Sequence, residues 1–201
     1  MNNTNHLYKK IFSGFTVSWD IDELAHSFEN ITLDKYHVTN YLDLKNRTHW
    51  QCYKSGIAFA RNFHVNFKKE CIEVSDKLKN YQRSLSQNYD NDPLLIKFLK
   101  HEIKPSRVNL TKIMPNYNVE PHVDITRSVC LNIGLKRSNK WNTIIGDTCI
   151  VNEYKSEQSL TFTINDGDGY LMLVENVHSV VCADHTNQLP RYVITYNLLN
   201  R

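Results

Sequence analysis

No CxxC pair occurs in this chain. Its five cysteines (Cys52, Cys71, Cys130, Cys149 and Cys182) are scattered at irregular spacing. An odd number without a pairing pattern argues against a disulfide framework and against a zinc knuckle, and buried reduced thiols fit better. Also absent is any apolar run approaching the roughly 20 residues that a membrane helix needs. The longest runs are short and strand-like, as at residues 170–174. The opening Met1-Asn2-Asn3-Thr4-Asn5-His6 is polar and no signal-type apolar region follows it, so a cytoplasmic location is expected. Charge of one sign is scarce too, the formal net charge being +3. That gives no support to a phosphate-binding surface, so charge does not favour nucleic acid as a partner. Repeats, Pro- or Gly-rich linkers and low-complexity tracts are missing as well. The 201 residues suit a single domain, 1–201, with a substantial core.

The texture changes near Pro105. Before it, helical patterns mix with extended ones. Residues 21–30 read as a helix with Asp20 as N-cap, and residues 70–84 carry a helical stripe. Asp92-Pro93 opens another helix that Pro105 ends. Residues 36–42 and 56–65 look extended. After Pro105 nearly everything reads as strand and turn: 107–114, 119–123, 127–135, 143–145, 148–151, 159–164, 170–174, 178–182 and 191–199. Strands at such short spacing suggest a sandwich or jelly-roll barrel rather than a βαβ sheet. The expectation is therefore an α+β, mainly β domain. Residues 106–201 form a double-stranded β-helix (a jelly-roll or cupin-like barrel), and the supporting region 1–105 packs its helices on the outer face.

The chemistry concentrates at Glu120-Pro121-His122-Val123-Asp124. Residues two apart on a strand point the same way, so His122 and Asp124 can face one ion. One neutral nitrogen and one anionic oxygen suit a borderline divalent metal such as Fe(II). A third ligand must come from elsewhere. His178, at the start of a strand, is preferred over His185, which sits in the polar loop 183–187. Arg191 opens the last strand. Alternation sets Arg191, Val193, Thr195 and Asn197 on one side and Tyr192, Ile194, Tyr196 and Leu198 on the other. An interior arginine is costly unless paired, and a guanidinium is well made for bidentate capture of a carboxylate.

The order His122-x-Asp124, His178, Arg191 resembles the Fe(II)/2-oxoglutarate-dependent dioxygenase superfamily. Pro115-Asn116-x-x-Val119-x-Pro121-His122-x-Asp124 is similar to the prolyl-hydroxylase-like turn that leads into the HxD strand, with Asn116 where glycine is common. Residues 169–173 before Asn176-Val177-His178 resemble the strand and loop that deliver the distal histidine. The resemblance covers about residues 107–201. It implies an oxygenase in which His122, Asp124 and His178 hold Fe(II), 2-oxoglutarate chelates the metal and meets Arg191, and O₂ is the second co-substrate. Succinate and CO₂ would be released and a C–H bond hydroxylated. The departure is Val193, since many members carry Ser or Thr two residues after the arginine.

Thr195 is a candidate to supply that hydroxyl. Asn132, polar in an apolar strand, is a second candidate for the co-substrate site or else a buried amide bonded to its neighbours. Tyr117 either points into the pocket or packs the turn. For the substrate, the candidates are Arg127 and Trp141. Arg127 could also pair with Asp124 or be solvated, and Trp141 could pack under the 136–140 loop instead of stacking on a ring. A protein or peptide side chain is the first expected substrate, a small molecule the next, and a nucleic-acid base the third. No membrane partner is expected. The alternative class is a non-catalytic, cupin-like metal-binding or assembly barrel.

Overall fold

The long strands at 127–135 and 191–199 each have an apolar side and a mixed side, so they can sit between a helical layer and a barrel interior. The computed structural model of the protein describes residues 7–29, 57–61, 68–87, 91–115, 118–124, 127–146, 159–184 and 186–199. The supporting region contributes strand β1 (Tyr8–Phe12), helix α1 (Ile21–Glu29), strand β2 (Ile57–Arg61) and helices α2 (Lys68–Leu85) and α3 (Pro93–Lys100). Then come β3 (Val108–Ile113), β4 (Val119–His122), β5 (Arg127–Lys136), β6 (Trp141–Ile145), β7 (Leu160–Thr163), β8 (Gly169–Leu173), β9 (His178–Cys182) and β10 (Arg191–Leu199).

The helices start where their caps require. Asp20 accepts the Glu23 amide at 2.9 Å ahead of α1. Asp92 accepts the amides of Leu94 and Leu95 at 2.9 and 3.1 Å, with Pro93 in the first turn, where a missing N–H costs nothing. The expected end of α3 at Pro105 is corrected: the helix stops at Lys100, because His101 turns extended (φ −81°, ψ 133°). Pro105 instead opens a 3-10 turn, Pro105–Arg107. β1 was not foreseen. Its alternation is interrupted by a register shift between Lys10 and Phe12, which hides the period of two. The expected strands at 36–42 and 148–151 lie outside the described residues.

Two antiparallel sheets result, a six-stranded one in the order β1-β8-β5-β10-β3-β2 and a four-stranded one in the order β4-β9-β6-β7. From β3 onward the chain passes repeatedly between them: β3 to β4, β4 to β5, β5 to β6, β7 to β8, β8 to β9 and β9 to β10. Two such sheets wound around each other make a double-stranded β-helix, or jelly roll. The class is thus α+β, mainly β, as the sequence suggested.

Parity divides the large sheet. On its outer face Leu110, Leu131, Ile133, Leu171, Ile194 and Tyr196 pack with Val74 and Leu78 of α2 and Leu95 and Phe98 of α3 in one buried cluster. Its inner face, with Thr111, Cys130, Asn132, Tyr170, Met172 and Arg191, lines a cavity between the sheets. Among the described residues, no helix is long and apolar enough to cross a membrane.

Candidate metal centre

Three elements bring His122, Asp124 and His178 together at one end of the barrel. His122 ends β4 and His178 starts β9, and the two are cross-strand partners. Their ring centroids are 4.2 Å apart. Asp124 lies just past β4. It is held not by the strand but by its own amide, which donates to the carbonyl of Val174, just past β8, at 3.0 Å. One ligand atom from each of the three lies within 4.8 Å of the others. Pro121 is tolerated in β4 because that strand is at a sheet edge.

The imidazoles are fixed in the ligating tautomer. His122 Nδ1 is 2.8 Å from the Glu120 carbonyl, and His178 Nδ1 is 2.9 Å from the Asn176 carbonyl. A carbonyl only accepts, so each Nδ1 carries the proton and each Nε2 offers a lone pair. His178 is 5% exposed. Burial and the neighbouring His122 depress its pKa to about 4, against the opposing pull of the Asn176 carbonyl and Asp124. It is therefore neutral, the form a metal needs, at ordinary pH. On the carboxylate, Arg127 donates from Nε at 2.8 Å and from Nη2 at 2.7 Å, both to Oδ2. Two imidazole nitrogens and one carboxylate, converging and pre-oriented, fit a divalent transition metal.

The same cavity, about 120 Å³, continues from the triad to Arg191. Arg191 is 1% exposed, and its Nε has no hydrogen-bond partner. Burial presses down the guanidinium pKa, while the Tyr170 hydroxyl, bonded to it, resists that shift. Among the described residues no carboxylate pairs with it. A buried arginine without an anion is a costly arrangement for the protein alone.

The other candidates fall in different places. Thr195 lines the cavity but sits opposite Asn132, and its hydroxyl donates to Asn132 Oδ1 at 2.8 Å. Four residues of strand, about 13 Å, separate it from Arg191, so its expected role as the partner hydroxyl of Arg191 is corrected. Asn132 in turn donates to the Cys130 sulfur at 3.2 Å. Arg127 is engaged with Asp124 rather than projecting alone toward a substrate. Trp141 is corrected outright. It is 0% exposed and packs with Ile113 and Cys182. The 136–140 loop beside it follows the far end of β5, about 30 Å of strand from Arg127. Tyr117 and Asn116, the competing His185 and the cysteines Cys52 and Cys149 lie outside the described residues. Cys71, Cys130 and Cys182 are free and buried.

Among the polar lining residues, Thr111, Thr143 and Tyr170 escaped the sequence reading. Tyr170 contacts Arg191 and Thr143; its signal was a polar-tipped aromatic alternating with Met172 in an apolar run. Thr111 was hidden because its facing direction depends on the register of β3 against β10.

No family model matches the sequence, and no curated protein does. Among solved structures, the chain is similar to an oxidoreductase of the 2OG-Fe(II) oxygenase family from Burkholderia pseudomallei. Identity there is 12%, 46% of this chain and 42% of that chain are covered, and the TM-score is 0.36. It therefore spans less than half the length of that protein. It is also similar to the non-heme alpha ketoglutarate dependent epimerase SnoN from nogalamycin biosynthesis (11% identity, 96% and 80% covered, TM-score 0.46). A cupin superfamily protein from Desulfitobacterium hafniense is a third (11%, 46% and 66% covered, TM-score 0.30). At these scores and identities the likeness carries nothing about activity or ligand.

Proposed function

We propose that this chain is an Fe(II)- and 2-oxoglutarate-dependent oxygenase that hydroxylates a C–H bond. One observation carries the reading: a pre-oriented His-Asp-His set and a buried arginine that no carboxylate pairs with among the described residues share a single cavity. His122 Nε2, His178 Nε2 and a carboxylate oxygen of Asp124 would hold the metal, leaving adjacent positions open. Bound iron supplies O₂ activation coupled to decarboxylation of the co-substrate to succinate and CO₂.

The chain's own residues do the rest. Arg127 orients Asp124 through Oδ2. Arg191 meets the distal carboxylate of 2-oxoglutarate, with Tyr170 beside it. The walls between are largely apolar, with Ile113, Met172, Val174 and Val193 lining the cavity. They exclude water and strengthen the ionic contact. A protein or peptide side chain is the proposed prime substrate, a small molecule the next, and a nucleic-acid base the third.

The test is a binding titration without oxygen, followed by measurement of succinate. His122→Ala, Asp124→Ala and His178→Ala should each abolish Fe(II) binding. Arg191→Met should keep the metal and weaken 2-oxoglutarate by roughly 30-fold or more, the loss of a charge-assisted bidentate contact. Metal binding without any succinate formation would instead point to a non-catalytic barrel.

A further inference from the structure

Arg127 brings a positive charge to the place where a cation would bind. Its Nε and Nη2 both donate to Oδ2 of Asp124, at 2.8 and 2.7 Å. A metal–carboxylate bond is about 2.1 Å long, so an ion on that carboxylate would lie within about 5 Å of the guanidinium.

An irregularity in β5 turns the arginine inward. Val129, Leu131 and Ile133 face the helices, and plain alternation would send Arg127 the same way. Opposite Leu198 and Leu199 of β10, however, the pairing steps from Val129 to Arg127, with Ser128 as the extra residue. Such a bulge re-aims the side chains next to it, and Arg127 lines the cavity instead. Among the described residues lining that cavity the charged ones are Asp124, Arg127 and Arg191, the two histidines being neutral in the ligating tautomer. One negative charge thus faces two positive ones before any metal enters. A divalent ion enlarges the positive excess, and a dicarboxylate reduces it. The Arg127 guanidinium repels the first and attracts the second.

We propose that Arg127 trades metal affinity for anion affinity: its charge loosens the ion and tightens the dicarboxylate that joins it. The residue thereby sets the charge of the site as well as the orientation of Asp124. The assignment rests on the oxygenase reading above and concerns the balance between its two ligands.

The experiment is calorimetric titration of Mn(II) into the protein, then of 2-oxoglutarate into the Mn(II)-loaded protein. Arg127→Gln removes the charge and keeps an N–H within reach of Asp124. It should bind Mn(II) about 10- to 100-fold more tightly, the effect of losing a like charge about 5 Å away in a partly exposed site. 2-Oxoglutarate should bind the loaded variant roughly 3- to 10-fold more weakly, since its nearer carboxylate loses an attracting charge. Arg127→Lys should leave both affinities close to wild type, because both arginine donors converge on a single oxygen and one ammonium can serve it. The Arg127 side chain is 21% exposed, so neither substitution empties the core. Opposite shifts for the two ligands are the signature, whereas a residue that only orients Asp124 would weaken both when changed. Weaker or unchanged Mn(II) binding in Arg127→Gln overturns the proposal. So does Arg127→Lys behaving like Arg127→Gln, because charge is then not the agent. If the wild-type Mn(II) protein binds no 2-oxoglutarate, the oxygenase reading itself falls. If it does bind and the two shifts in Arg127→Gln are not opposite, only the role given to Arg127 is withdrawn.

Discussion

Asp168 ties the edge strand β1 to the barrel. Its Oδ1 accepts Lys10 Nζ at 2.7 Å and the Ser13 hydroxyl at 2.9 Å, and its Oδ2 accepts the Asn165 amide at 3.0 Å. Burial alone would raise its pKa, but those three donors outweigh it and hold the carboxyl below its ordinary value. A carboxyl depressed in the folded state adds stability that is full above its unfolded pKa, near 4, and is lost as pH falls through the lower folded value. Denaturant melts between pH 5 and pH 2.5 should show that loss, and Asp168→Asn should reduce it. At neutral pH the same substitution should cost about 1–3 kcal/mol, because a donor set is left facing a neutral amide. An unchanged acid profile in Asp168→Asn would place the linkage elsewhere. Among single residues, the pairing of His122 with Asp124 and the inward side of Arg191 were legible because two-residue spacing and strand parity are properties of the text itself, and His178 stood out by its place at the start of a strand. Thr111 and Tyr170 were not, because their contacts come from strands distant in sequence.

β5 is the strand on which the elements converge, bonded to β8 on one side and β10 on the other. Gly134 is where other chain segments press against it. A Cβ there would lie 2.4 Å from the Ser138 hydroxyl and 2.8 Å from the Asn165 carbonyl. The Asn165 atom is backbone and is pinned by the turn at Gly167 (φ 85°), whose amide donates to the Gly134 carbonyl at 2.7 Å. Gly134→Ala should therefore destabilise by about 1–3 kcal/mol, as overpacking in a core does. Thermal melts would show it, and a melting temperature equal to wild type would mean that the turn can yield. At this scale the caps at Asp20 and Asp92 and the alternating strands announced themselves. The strand Tyr8–Phe12 did not, since a bulge disrupts its period, and α3 ended before its proline because helix ends are set by local dihedrals.

The molecule as a whole is a barrel with two chemically different ends: the triad where β4 stops and β9 starts, and Arg191 where β10 starts. Metal that binds the folded chain and not the unfolded one must raise its stability by mass action. At a free concentration about 100 times Kd, Mn(II) should add roughly 2.7 kcal/mol and raise the melting temperature by about 5–10 °C. A chelator should reverse the shift, and His122→Ala should show none. A shift of equal size in His122→Ala would place the ion at another site. The barrel could be read from the density of short strands and turns after Pro105. The pairing order could not, because antiparallel neighbours such as β5 and β10 are joined by no local signal.

β10 carries Tyr192, Ile194, Tyr196 and Leu198 against the helices and Arg191, Val193 and Thr195 toward the cavity. Under the proposed function, two kinds of selection act on alternate letters of one short word. In a library of single substitutions along this strand, scored once for soluble yield and once for turnover, the even-numbered positions should fail both scores. Arg191 should fail only the second. A lineage that gave up its catalysis while keeping its shape would lose the cavity-facing residues of this strand first and keep the helix-facing ones.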